Sequence, residues 1–210
     1  MNLVKGIINF VMDILETIAF VGSLFIVIYL FILQPNQVKG ASMEPTFQSG
    51  DYIITSKITY KFKKMERGDV VVFNSPKNPN IEYIKRIIGL PGDKVMVKDG
   101  EVYVNDQILP ETYISAKTNL WEGGFLKEGE PIVVPENYVF VMGDNRLRSS
   151  DSREFGPVPI SSIVGTVVYR YFPPTKIGFI KNPLPKALRS MTADVTKFAS
   201  ISFRSQLSYF

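Results

Sequence analysis

The chain has 210 residues, with 24 lysines and arginines against 20 aspartates and glutamates, no histidine and no cysteine. That length admits one membrane segment plus one sizeable domain, while the missing side chains exclude disulfides, thiol catalysis, cysteine- or histidine-ligated metals and any Ser-His-Asp triad. The formal charge of +4 is mild and the cations are spread along the chain, which argues against nucleic acid as a partner and leaves contact with anionic lipid open.

Residues 1–16 form a short N-terminal segment carrying Lys5, Asp13 and Glu16. The uncharged run TIAFVGSLFIVIYLFIL, residues 17–33, predicts a single transmembrane helix, at the lower edge of the roughly 17–25 residues that cross a bilayer. It exceeds the ~7–15 apolar residues of a cleavable signal peptide, and no small-x-small site precedes Gly40. Pro35 disfavours helix in the residue before it and closes the run. The charge bias across the run is thin and does not set its sidedness.

From residue 34 to about residue 182 the hydrophobic period changes to two, predicting a mainly β fold. Candidate strands are 51–58 (DYIITSKI), 69–73 (DVVVF), 81–88 (IEYIKRII), 94–98 (KVMVK), 101–104 (EVYV), 137–142 and 165–172. Asp99-Gly100 between KVMVK and EVYV predicts a tight hairpin, because a primed turn needs residues that tolerate positive φ. Residues 105–135, richer in Gly, Pro, Glu and Lys and holding Trp121, predict a cap inserted into this all-β body. Residues 183–210 read as a basic amphipathic tail, with Lys186, Arg189, Lys197 and Arg204 among apolar residues. It is either a second contact with the membrane surface or a peripheral helix.

Three stretches carry reactive chemistry. In GASMEPTFQSGDYI, Gly40 and Ala41 leave space beside Ser42 and Pro45 fixes the chain direction beyond it, although the same pattern also serves as an ordinary turn. A serine hydroxyl needs a base, and without imidazole that base is a carboxylate, a tyrosine or a neutral lysine. In YIKRII, Lys85 shares a strand face with Tyr83 and Ile87 while Arg86 shares the other with Ile84 and Ile88, so one cation must lie beside the core. Only lysine can lose its proton on burial, which makes Lys85 the admissible partner of Ser42; the plain alternative is a snorkelling lysine. In GDNRLRSSDSREFGPV, Asp144 with Arg146 and Asp151 with Arg153 are spaced for charge-assisted pairs, and Ser149 or Ser150 could orient an amine, unless the stretch is simply a solvated loop.

Taken in order, SMEPTF around Ser42, GDVVVF at 68–73, YIKRIIGLPGD at 83–93 and GDNRLRSSDSR at 143–153 resemble the characteristic blocks of the type I signal peptidases, as do the apolar run and GTVVYRYFPP at 165–174. The likeness covers about residues 15–175. It implies a single-pass enzyme of the cytoplasmic membrane, its β-rich body on the extracytoplasmic side near the secretion translocon. Such an enzyme cuts signal peptides from secreted preproteins with a serine-lysine dyad and no cofactor or metal. Carried over by position, Ser42 matches the nucleophile, Lys85 the general base and Ser149 the hydroxyl that orients the lysine. Asp144, Arg146, Asp151 and Arg153 match residues supporting the site, while Met43, Phe47, Tyr83 and Ile84 match positions near the substrate pockets. Phe47 is bulkier than the leucine often found there. Gly40 stands where some members place a serine that helps hold the oxyanion, so another donor is expected. Two other readings remain open: a catalytically silent, membrane-anchored peptide-binding module, and a self-cleaving serine-lysine repressor. Against the second, the N-terminal region holds a greasy run and no recognition helix.

Overall fold

The computed structural model describes residues 2–190, with side chains from residue 4. Helix α1 spans Asn2–Phe31. It takes in the charged segment before the apolar run, because residues 2–16 contain no proline to break it. Within it Val4–Phe31 is long and apolar enough to cross a membrane, and none of its most apolar window is buried against the rest of the chain.

The remaining elements in chain order are β1 (Leu33–Gln37), β2 (Tyr52–Ser56), α2 (Thr59–Phe62), β3 (Val70–Asn74), β4 (Glu82–Gly89), β5 (Lys94–Lys98), β6 (Glu101–Val104), β7 (Gln107–Ile108), β8 (Ile132–Val133), β9 (Tyr138–Met142), α3 (Ser152–Phe155), β10 (Val158–Pro159), β11 (Ile163–Phe172), β12 (Gly178–Phe179) and α4 (Lys186–Arg189). The larger sheet has the order β1-β2-β11-β3-β4-β9-β10, with β12 also on β11; the smaller is β7-β6-β5-β8. This is the mainly β body expected after one apolar helix. Pro35 is tolerated in β1 because that strand is an edge. Asp99 (φ 54°) and Gly100 (φ 78°) make the expected tight turn, closing β5 on β6 with Lys98 opposite Glu101.

Alternation along β3 feeds two cores. Val70 and Val72 pack with Val38, Met43, Phe47, Ile53 and Val167, whereas Val71 and Phe73 pack with Ile87, Val139, Val141 and Val158. A third cluster joins the smaller sheet to the larger through Val95, Val97, Val102, Phe140 and Met142. The stretch between β7 and β8 enters it with Leu109, Tyr113 and Leu126. Because both faces of the larger sheet are covered, the two cations of β4 are both buried, Lys85 at 4% exposure and Arg86 at 2%, where alternation requires only one.

Register fixes the site to the helix. Leu33 pairs with Ser56, Ser56 with Thr166, Thr166 with Val71, and Val71 with Lys85, a single row across five strands that begins two residues after α1 ends. At the other end of the chain, Leu184 is buried and the α4 carbonyls of Leu188 and Arg189 accept bonds from Arg67. The first part of the expected tail therefore packs on the body, while Lys197 and Arg204 lie outside the described residues.

Candidate active site

Ser42 sits in the loop between β1 and β2. The loop is closed at its base by Val38 N–H to Asp51 O (2.8 Å) and Gly50 N–H to Val38 O (2.9 Å). Gly40 adopts φ +88°, a conformation that L side chains rarely take, and a Cβ built there would meet nothing within 4 Å. Backbone conformation, not crowding, accounts for glycine at that position. Asn145 then ties the loop to the polar stretch, its N–H donating to Ser42 O (3.0 Å) and its side-chain amide to Ala41 O (3.0 Å).

Lys85 Nζ lies 2.8 Å from Ser42 Oγ and 2.9 Å from the Ile84 carbonyl. Burial pushes the amine down from 10.5 to about 8; the carboxylates of Asp151 and Asp144 oppose the shift and Arg153 adds to it. As an ammonium it donates to Oγ; once neutral, its lone pair can accept the hydroxyl proton across the same distance. The unfolded lysine keeps its proton until about pH 10.5 and the folded one loses it near 8. The cost of burying the charge is therefore full below pH 8 and is relieved as pH rises to 10.5.

The acidic supports pair differently from their sequence spacing. Asp151 and Arg153 do join, through two 2.8 Å bonds, and Asp151 also caps α3 by accepting from the Arg153 N–H (3.2 Å). Asp144 does not pair with Arg146. It accepts both Nε (2.8 Å) and a terminal nitrogen (2.6 Å) of Arg86, together with the Thr46 hydroxyl. Arg146 instead reaches Glu111 and Thr118. The reason is reach: a tight turn between Asp144 and Arg146 joins their backbones (N–H to O, 3.1 Å) and sends the side chains to opposite partners. Arg153 further donates to the Asn119 carbonyl (2.9 Å) and lies over the Trp121 ring at 4.6 Å. Residues 111–121 thus brace the loop that carries Asp144, Ser149 and Asp151. Sequence spacing missed Arg86, Thr46, Glu111 and Thr118, whose partners lie 35–98 positions away where they pair with Arg146 or Asp144 across the chain, apart from Thr118 at 28.

Ser149 Oγ is buried and makes no hydrogen bond. It packs against Gly143, where an added Cβ would lie 2.2 Å from Ser149 Oγ and 2.4 Å from the Ser42 carbonyl. Gly143→Ala is expected to cost about 1–3 kcal/mol by overpacking, read as a lower thermal midpoint for the full chain in detergent; an unchanged midpoint would show that this contact is slack.

A cleft of about 400 Å³ opens beside the pair, with Ser42, Lys85, Tyr83, Ile84, Val72 and Ile53 in its walls. Tyr83 and Ile84 therefore face this cleft. Met43 and Phe47 are fully buried and do not line it; they pack in the same cluster as Val72 and Ile84. The extra bulk of the Phe47 ring meets the Arg170 guanidinium at 5.3 Å.

Residues 10–172 match the family described as signal peptidase, peptidase S26. The chain is 38% identical over 157 residues to thylakoidal processing peptidase 1 of Arabidopsis thaliana, covering 70% of this chain and 44% of that protein. It is 41% identical over 155 residues to the probable signal peptidase I-2 of Synechocystis, covering 71% and 68%. It is 35% identical over 185 residues to signal peptidase IB of Staphylococcus aureus, covering 81% and 96%. The match thus spans under half of the plant protein and nearly all of the staphylococcal one. On the strength of the family match and these relatives, the chain belongs to the S26 signal peptidase family.

Proposed function

We propose that the chain is a membrane-bound serine endopeptidase that removes N-terminal signal peptides from exported preproteins at Ala-X-Ala-like sites. Ser42 is its nucleophile and Lys85 its general base. The observation that carries this reading is the buried amine 2.8 Å from a hydroxyl that opens onto a cleft. Neutral Lys85 takes the Ser42 proton as Oγ attacks the scissile carbonyl, and the resulting ammonium returns that proton to the departing amine. Water then hydrolyses the acyl-enzyme with the amine again acting as base. The Ser149 hydroxyl, buried beside Gly143 with no hydrogen bond of its own, is left to turn toward the amine and orient it during this cycle. Asp144, Arg146, Asp151 and Arg153 hold the loop that presents it. The Ser42 N–H supplies one oxyanion donor, and a second comes from a backbone N–H or a water in place of the side chain that Gly40 lacks.

The pairing of β4 supports an extended substrate. Among the described residues, Glu82–Lys85 pair only with β3, since β9 joins β4 from Arg86 onward, which leaves their other edge for a further strand. Alternate side chains of such a strand point the same way, which brings two small residues, one apart, against Val72 and Ile84. The apolar helix holds this body at the cytoplasmic membrane, on the extracytoplasmic side and close to the translocon.

The test is one labelled preprotein incubated in detergent with wild type and with Ser42→Ala. Mass spectrometry should find a cut after Ala-X-Ala with wild type and no product with the variant. A silent peptide-binding module would leave the preprotein whole in both. With the amine at about 8, the neutral fraction is about a tenth at pH 7 and about nine-tenths at pH 9, so kcat should climb through this window; a rate flat from pH 6 to 10 would remove Lys85 as base.

A further inference from the structure

The turn that closes α2, just after β2, exposes four consecutive side chains, Lys61 and Phe62 at the end of the helix and Lys63 and Lys64 beyond it. At 84%, Phe62 is the most exposed large hydrophobic residue among those described. A bare ring set among cations is an unfavourable surface in water but suits the boundary between phosphate headgroups and acyl chains.

The turn lies where that boundary must be. β2 runs back toward the end of α1, so that Ser56 sits opposite Leu33. The Lys57 N–H then donates to the Ile32 carbonyl (2.8 Å) and its Nζ to the Leu30 carbonyl (3.3 Å), at the negative end of α1. α2 follows at once, which places Phe62 within about 12 Å of the helix exit. Lys61 and Lys64 have no carboxylate partner among the described residues, whereas Lys63 pairs with Glu66 at 3.2 Å. Lys63 also lines a cleft of about 350 Å³ with Lys181, Arg189 and Asp69, where Glu66 pairs with Lys63 (3.2 Å) and Arg189 (3.8 Å) and Lys181 adds a further cation.

We infer that the Lys61–Lys64 turn is a second membrane attachment that docks on anionic phospholipid, with the lysines on phosphates and the Phe62 ring at the acyl boundary. A lone helix leaves the body free to swivel about its axis. A second foothold beside the exit stops that rotation and holds the Ser42 cleft in one direction. The inference rests on α1 being a membrane span.

Because the chain has no cysteine, single-cysteine variants can carry an environment-sensitive fluorophore at chosen positions. Full-length Phe62→Cys, with the fluorophore in place of the ring, and Leu24→Cys, in mid-helix, are reconstituted in vesicles of phosphatidylcholine alone or mixed with phosphatidylglycerol and probed with nitroxide-lipid quenchers. The residue-24 probe should report acyl chains in both lipids. The residue-62 probe should report the interface in the mixed vesicles, less so in phosphatidylcholine or at high salt. Lys61→Gln and Lys64→Gln should each lower the ratio of seated to unseated turn about fivefold. A residue-62 probe in water while residue 24 reports acyl chains overturns the docking alone. Seating that ignores lipid charge and both lysine substitutions overturns the anionic partner. A residue-24 probe in water overturns the span and the docking with it.

Discussion

Lys85→Arg should lower kcat for preprotein cleavage by about a thousandfold or more. The substitution keeps a cation in the same strand position, so any role that needs only charge or a hydrogen-bond donor would survive it. Proton abstraction would not, because a guanidinium stays protonated in proteins. Lys85→Met separates chemistry from folding: it has similar length, carries no charge and fills the same space between the Tyr83 ring and Ser42. Burial holds the wild-type amine at about 8 against 10.5 in the unfolded chain. Removing the charge should therefore leave the chain at pH 7 as stable as wild type or more so, while abolishing turnover. Single-turnover cleavage and thermal unfolding of the three proteins decide the matter. Should the arginine variant cut at a rate within about tenfold of wild type, the dyad assignment fails.

Asp144→Ala is expected to be the most damaging change to the fold around the site, at about 3–5 kcal/mol. It strips a fully buried guanidinium of both its carboxylate bonds and leaves Arg86 with the Gly68 carbonyl (2.8 Å) and a distant contact to Thr46. It also frees the Thr46 hydroxyl, which anchors the far side of the Ser42 loop. The loss comes chiefly from the uncompensated charge, so the double variant Arg86→Met with Asp144→Leu should recover most of it. Denaturant unfolding of the single and double variants measures this. If the double variant is as unstable as Asp144→Ala, the damage stems from the loop contacts and not from the stranded guanidinium.

Local periodicity announced the parts of the fold that bury one face. β3, β4, β5, β6, β9 and β11 alternate clearly enough to be read residue by residue, and Asp99-Gly100 supplies its own turn geometry. β7, β8, β10 and β12 are two residues long, too short for any alternation, and β1 contains a proline that only an edge position explains. The apolar run marked the end of α1 but not its start, since the helix continues through charged residues that a hydropathy reading discards. At the site, elimination left Lys85 as the admissible base for Ser42, because the chain has no histidine to offer instead, and the family resemblance singled out the two together; folding brings them to 2.8 Å. The supporting pairs were not legible. Asp144 was matched to Arg146 by nearness in sequence, and tertiary folding gave it Arg86, 58 positions away. The four exposed residues of the Lys61–Lys64 turn look like an ordinary solvated run until β2 is seen to return them to the end of the helix.

The row from Leu33 to Lys85 works as a ruler laid across the sheet. Strands about 4.8 Å apart put the amine about 19 Å to the side of the anchor. The offset of the Lys85 amine from the end of the greasy run is therefore fixed by strand register, and slipping β1 against β2 by two residues would move it by about 6.6 Å along the strands with the rest of the sheet unaltered.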